Sequence, residues 1–529
     1  MKFRLSIFFS LFALSMTAQI PSGYEADWNW GREHEIDGDQ SIADIDDQFI
    51  YAYAVNNGEG FDRRKWIYTK YDNETFDQIW SFEIDPLEYE DSELSFFQVN
   101  IIEGEFYVFY TGYDKHEDEV TMLVQIIDAD GNMGELIPLL SHLTDDPREG
   151  TFEVIWSHDQ DNFALVSIPQ FVDDERARFR VSMYDRLAYE VWSNEQEIDT
   201  HHENFKVVDY ALGIDDHFYA LAYRMPDLEK GEEDVDGMSN QSYALYKINQ
   251  NTITPERLDL ELDNFFIQGP WIVSDTVGTY IGCIYSEEDF GYSDGLIFMN
   301  IDLESFSVAS RSQSVVPEII QERLQSNRGW ANLFDDFGAP FEPIYFLRTP
   351  DGGAVIVEQV RYEEITYEPT VTIMGVPVSY RRIVTNHYED FLVMKLDASS
   401  QVEWMSHLPL NQIFVESTLL MGTVLTIGED GKFHLIFNDD KDNVEEWSDS
   451  EPRIDSYTAW SVRRGNVMMV TFDLEGDFQY ESIAKSRDDD GFYFIPNASF
   501  SREPGKIAVF SMEGEDVKIG TLEIYQGNF

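Results

Sequence analysis

The sequence predicts an all-β protein, a β-propeller of eight four-stranded blades, and three observations carry that prediction. A hairpin built on an aspartate turn recurs along the chain. A second kind of hairpin alternates with it, and each end of the chain lacks the strand that the other holds in surplus. Two hairpins make four strands, which is the blade of a propeller. Seven blades is the alternative, should the two ends not share one.

The aspartate hairpin is clearest at 389–410. Phe391, Val393 and Lys395 alternate there with Leu392, Met394 and Leu396, the pattern of a strand covered on both faces. Asp397 can accept backbone N–H groups two residues on, so it starts a tight turn that returns the chain as Val402 to His407. The turn residue recurs at Asp72, Asp128, Asp185, Asn249, Asp302 and Asp473. Trp80, Trp192 and Trp404 follow it on the returning strand, with Tyr480 in the same place in the last repeat. Irregular spacing of these turns speaks against a solenoid.

The second hairpin has a polar or glycine turn before an apolar strand, as in IADIDDQFIYAYAV, VNIIEGEFYVFYTG and LTIGEDGKFHLIFN. Its eighth and last copy is ASFSREPGKIAVFS, after which only one strand, VKIGTLEIY, remains. The stretch EADWNWGREHEI is left over near the other end, with Trp28 or Trp30 in the place of the repeated tryptophan. Pairing the two ends would remove two open sheet edges.

At 529 residues, 43% of them hydrophobic and 15% aromatic, the chain can bury a large core. Residues 1–18 read as a signal peptide: Lys2 and Arg4 precede an apolar run from Ile7 to Met16 and a small-residue site at Ala18. This predicts a secreted protein, periplasmic or extracellular, with one propeller domain over 19–529. No later run reaches about 18 apolar residues, so no membrane span is expected. The lone Cys283 reads as a small buried hydrophobe. With 36 Lys plus Arg against 101 Asp plus Glu, the net charge is −65. Such a surface repels nucleic acid and anionic membranes.

Short turns inside the hairpins put all long segments on the opposite end, where variable loops carry binding. Three stand out. Residues 313–342 hold a helix start at Pro317 and an aromatic stretch with Trp330. Residues 362–388 read as a protruding hairpin about Met374, Gly375, Val376 and Pro377. Residues 438–465 carry Trp447, Trp460, Arg463 and Arg464 after an acidic run.

The extended hairpin, the Tyr-rich strand after it, the aspartate unit with Trp404, and the ending at Pro409 and Gln412 together resemble a family of uncharacterised secreted β-propeller-type repeat proteins of Bacteroidota. The resemblance implies fold and compartment, and carries no activity and no site residue.

Motifs of catalysis are scarce. His201, His202 and Glu203 are adjacent, which on a strand would point them to opposite faces and prevent a shared metal, so a surface loop is expected. Asp128 to Asn132 opens like a calcium loop but lacks the later bidentate Glu, so a plain turn is expected. There is no nucleophile elbow and no His-Glu-x-x-His. The run Ser486 to Gly491 resembles a sialidase Asp box, with the wrong Asp-to-Gly spacing. Among 101 acids some carboxylate pair always lies at a workable separation, so acid pairs are uninformative. No catalytic residue, metal or cofactor is predicted.

Basic residues inform more because they are rare. Arg63 to Lys65, Arg176, Arg178 and Arg180, Arg381 and Arg382, and Arg463 and Arg464 all precede or enter the third strand of a blade. Each group serves either to neutralise nearby acids or to bind an anionic or sugar ligand. The expectation is a non-enzymatic binding or scaffold protein recognising an acidic glycan or an extracellular protein partner. Its candidate contacts are Arg381, Arg382, Arg463, Arg464, Trp330, Tyr380, Tyr388, Trp447 and Trp460. The alternative is a propeller-type polysaccharide hydrolase or lyase acting at the central funnel.

Overall fold

The computed structural model describes residues 24–35, 39–46, 48–56, 65–84, 88–89, 92–146, 150–171, 175–225, 241–287, 293–318, 320–321, 341–349, 351–373, 376–428, 430–446, 456–514 and 516–526. Residues 1–18, read above as a signal peptide, and Arg63, Arg64, Trp330 and Trp447 lie outside these residues. Among the described residues, eight sheets of four or more strands follow one another along the chain, almost wholly antiparallel. They occupy 39–84, 88–143, 151–201, 205–259, 266–315, 341–415, 423–485 and 493–526, numbered here first to eighth. No helix among them is long and apolar enough to cross a membrane.

The aspartate turns form as local chemistry dictates. In all seven, the side-chain Oδ1 accepts the backbone N–H two residues on: Glu74, Asp130, Leu187, Asn251, Glu304, Ser399 and Glu475, at 2.8–3.1 Å. Asp128 also takes the N–H of Asn132 at 2.7 Å, so the calcium-like loop is a self-capped turn. Two of the three repeated tryptophans make a cross-sheet bond that spacing alone does not reveal. Trp80 Nε1 donates to the carbonyl of Ala129 at 3.4 Å, and Trp404 Nε1 to that of Leu474 at 2.9 Å. Both acceptors directly follow the turn aspartate of the next sheet. Lys247 Nζ does the same to Leu303 at 3.0 Å.

Both faces of the sheets are covered, as the continuous apolar runs require. Phe391 and Val393 pack with Phe437 and Met468 of the seventh sheet, while Leu392 and Met394 pack with Phe298 of the fifth. The same holds around the molecule. Apolar clusters join first to second (Tyr68, Phe106), second to third (Phe109, Phe163), third to fourth (Phe179, Phe218) and fourth to fifth (Leu245, Ile281). Others join seventh to eighth (Ile436, Val509) and eighth to first (Phe510, Ile50). Each fully buried Leu or Phe contributes roughly 1.5–3 kcal/mol. Cys283 is 2% exposed within the fourth–fifth cluster, and burial pushes its thiol up to about 12.

The eighth sheet draws on both ends of the chain. Tyr24–Trp30 pairs antiparallel with the strand Asp516–Gln526, from Tyr24 opposite Gln526 to Trp30 opposite Gly520, and His34–Glu35 extends the pairing. Trp28 and Trp30 stack on each other and pack against the seventh–eighth core.

First strands of neighbouring sheets approach closely. Register shifts in the first strands at 42/44, 96/98, 207/209 and 343/345 free polar groups to bond sideways. Asp209 Oδ1 accepts the N–H of Tyr210, and its Oδ2 accepts that of Ile272 in the fifth sheet at 2.7 Å. Burial pushes the Asp209 carboxyl up to about 6. Gly269, at φ +50°, sits where a Cβ would lie 2.3 Å from the carbonyl oxygen of Phe341.

Candidate functional site

The short turns within hairpins gather at one end of the sheets. Connections between second and third strands, and between sheets, gather at the other. The protruding hairpin predicted over 362–388 is present there. Ala354–Ile373 and Val376–Leu396 pair from Ala354 opposite Leu396 to Ile373 opposite Val376. The outer neighbour accompanies them only to Thr385 opposite Val415, and the inner one only to Phe341 opposite Val360. Beyond that lies a two-stranded ribbon over 365–373 and 376–384, about 30 Å long at ~3.3 Å per residue.

Arg381 and Arg382 stand on this ribbon, opposite Glu368 and Tyr367, and both are exposed. Being adjacent on a strand, they face opposite sides of it. Tyr380 is opposite Pro369 in the register. Tyr388 is lower down, at the base. It packs against Phe414, Met421, Tyr457 and Val462, with the Arg361 guanidinium 4.4 Å from its ring centroid. Next to it His387 stacks on Tyr362 at 4.3 Å, and the Tyr362 hydroxyl donates to Glu389 at 2.8 Å.

A short strand, Tyr457–Thr458, runs parallel beside Gln412 and Ile413 and straps the segment 456–465 to the sixth sheet. Trp460 in this strap is 94% exposed. Arg463 is exposed, and Arg464 lies 3.7 Å from Asp440. Tyr388 thus meets the strap through Val462, while Arg381 lies about 23 Å further along its strand at ~3.3 Å per residue. The arginine pairs stand at two separate places at one end of the sixth sheet, each with an acid beside it, Glu368 opposite Arg381 and Asp440 near Arg464.

Beneath the strap is a buried polar network that inspection of the sequence did not single out. Asp439, fully buried, ends the strand Phe433–Asp439. Its carboxyl accepts the Tyr480 hydroxyl, the Asn443 amide at 2.8 Å and the Asp440 N–H at 2.8 Å. Burial outweighs these donors and pushes its carboxyl up to about 7. Gln412 ties the network to the sixth sheet: its amide donates to the Asn438 carbonyl at 2.8 Å, and its Oε1 accepts the N–H of Gly422 at 2.9 Å. His407 Nε2 lies 3.2 Å from Asp390, whose other oxygen takes the Leu410 N–H. The available signal was the triplet Asn438, Asp439, Asp440 directly ending a wholly buried strand.

The histidine pair lies where a strand gives way to a surface turn. His201 ends a strand, but His202–Asn204 forms a 3-10 turn, so the two rings lie 4.6 Å apart instead of on opposite faces. The ring of His202 stacks on Phe171. Among the described residues no three His, Cys, Asp or Glu side chains are grouped to hold a metal ion. Asp488 in the Asp-box-like run accepts the N–H groups of Gly491 and Phe492, and Lys518 reaches Asp488 and Asp490, which makes this run a capped turn.

No protein-family model matches the sequence, and no curated protein is significantly similar to it. Solved structures similar in arrangement include a protein of unknown function from Bacteroides caccae, 12% identical over 68% of this chain and 93% of that one, with a TM-score of 0.27. The WD40 domain of SCAP from fission yeast is 8% identical over 96% and 95% of the two chains, with a TM-score of 0.37. Prolyl oligopeptidase B from Galerina marginata is 9% identical over 95% of this chain and 56% of its own, also at 0.37. At these scores the likenesses carry no inference about activity.

Proposed function

We propose that this chain is a secreted, non-enzymatic β-propeller of eight blades, closed by pairing of its end strands, that binds an acidic polysaccharide through its inter-hairpin end. The cyclic succession of apolar clusters, with the eighth sheet packed on both the seventh and the first, supports the blade count and the closure. The basic start and apolar run of residues 1–18 support export. The observation that carries the binding reading is the ribbon: it extends past the sheets that would bury it, and it presents Arg381 and Arg382 on a protein of net charge −65. Trp460, Arg463 and Arg464 at its base add an exposed indole and two guanidinium groups. Guanidinium forks match carboxylate or sulfate in pairs, indole faces stack on sugar rings, and surrounding acids reject polyanions that do not fit.

The test is a glycan array and a secreted-protein screen of the wild type beside Arg381→Glu/Arg382→Glu and Arg463→Glu/Arg464→Glu. The expected result is weak, salt-sensitive binding of uronate- or sulfate-bearing glycans that each reversal reduces at least tenfold. Binding that survives both reversals places the site elsewhere. Capture of an acidic protein segment in place of any glycan replaces the ligand class and keeps the site.

A further inference from the structure

Between the third and fourth sheets, at the inter-hairpin end, the packing leaves a cavity of about 320 Å³. This is at the small end of ligand-sized pockets. Four of its twelve lining residues are aromatic, Phe171, Phe179, Phe205 and Tyr210, beside the aliphatic Ile168, Ala177, Val207 and Val208. Phe179 is 1% exposed in the third–fourth core, and Phe205 and Tyr210 pack against that core from the first strand of the fourth sheet. Phe171 is held by its stack on His202, whose backbone N–H donates to the Glu175 carbonyl at 3.2 Å.

One acid faces this aromatic space. Ile155 packs into the third–fourth core, whereas Phe152 and Val154 pack into the second–third core. Glu153 shares the face of Ile155 by strand alternation, so this exposed residue stands at the mouth of the cavity. Its carboxyl has neither a hydrogen bond nor an ion pair among the described residues. Partial burial holds it above the usual carboxylate range, and its charge adds to the burial that chiefly raises the Asp209 carboxyl and the Tyr210 phenol. The two cations in the wall point elsewhere. Arg178 lies between Ala177 and Phe179, which both face the core, and its guanidinium pairs with Glu175 at 3.6 Å. Lys206 lies between Phe205 and Val207, which likewise face the core.

We propose that this cavity binds a small organic ammonium ion with apolar substituents, a quaternary or alkylated amine. Aromatic faces attract such a cation through their quadrupoles, its alkyl groups match the apolar wall, and Glu153 supplies the counter-charge. The field of a protein with 101 acids raises the local concentration of any cation at the mouth. This site is independent of the ribbon: it uses neither its residues nor its ligand charge.

The experiment is isothermal titration of the full secreted chain with choline and tetramethylammonium in 150 mM NaCl, a salt level that screens the general surface field over about 8 Å. The neutral isostere 3,3-dimethylbutanol is titrated alongside, and thermal unfolding checks each variant. The expected result is saturable one-to-one binding of the ammonium ions, at least tenfold tighter than the isostere. Glu153→Gln and Phe205→Leu should each weaken it at least tenfold, while Asp489→Asn, a remote exposed acid, leaves it unchanged. Equal binding of isostere and cation overturns the proposal, as does an equal loss in the Asp489 variant or unchanged binding in Glu153→Gln. If Phe205→Leu fails to fold, Glu153→Gln, which keeps the side-chain shape, decides alone.

Discussion

Gly476 shows how far single atoms constrain the turns. It occupies φ +88° in the seventh-sheet aspartate turn, and a Cβ there would lie 2.6 Å from the Trp404 ring that reaches across from the sixth sheet. The left-handed conformation costs an L-residue about 1–2 kcal/mol, and the contact adds to it. Gly476→Ala should therefore lose at least about 2 kcal/mol in urea unfolding, and a smaller loss would show that Trp404 yields freely. Asp439 makes a different prediction. Its folded-state value, about 7, stands above the ordinary value of 3.8, so the folded protein holds the proton more tightly. Stability from this group is present at low pH and is lost as pH rises from about 4 through 7, by up to about 1.4 kcal/mol per unit. Glu358, fully buried and pushed up to about 8, has the same sign. Asp439→Asn keeps the hydrogen-bonded shape, because the Tyr480 hydroxyl can turn to accept. Its melting temperature should fall less than that of the wild type between pH 5 and pH 8. Parallel curves would mean that Asp439 stays charged throughout.

At the scale of elements, the ribbon is separable from the core. Past Thr385 its strands pair only with each other, and Ile365 and Tyr367 are exposed on it. Replacing 365–384 by a two-residue Asn-Gly turn should change the unfolding free energy by less than about 1 kcal/mol while abolishing glycan binding. A large drop in stability would make the ribbon structural. Elements also show what was legible in the sequence. The aspartate turns were, because each is completed within five residues by its own side chain. The ribbon was, because its β-branched runs flank a Gly-Val-Pro tip. The purpose of Trp80 and Trp404 was not, because their acceptors belong to the following sheet, 49 and 70 residues away. The aromatic cavity was invisible for the same reason: Glu153 is one acid among 101, and only the packed third and fourth sheets bring Phe171, Phe179 and Phe205 around it. The stacking of His201 and His202 was not legible, because it depends on the 3-10 turn His202–Asn204 that follows the strand.

For the whole molecule, charge and topology set the behaviour. Ion pairs such as Lys395 with Asp351 and Glu403, or Arg348 with Asp275, use up some of the 36 cations and leave a large excess of acid. Mutual repulsion should make the fold weakest at low ionic strength, so the melting temperature should rise with NaCl from millimolar to molar levels. A flat or falling curve would show that local pairing has already absorbed the excess.

The strand Tyr24–Trp30 finds its partner nearly five hundred residues away. Bringing such distant segments together costs about 3.5 kcal/mol more in chain entropy than closing a ten-residue loop, by the logarithmic dependence on length. Sheets whose strands are sequence neighbours carry no such handicap and can assemble earlier. The pairing of Trp28 with Leu522 then acts as a clasp fastened late. Until it fastens, the exposed edge of the last sheet is the place where a second copy of the chain could lend its own leading strand, and domain-swapped pairs are the misfolded product to look for when refolding is done at high concentration.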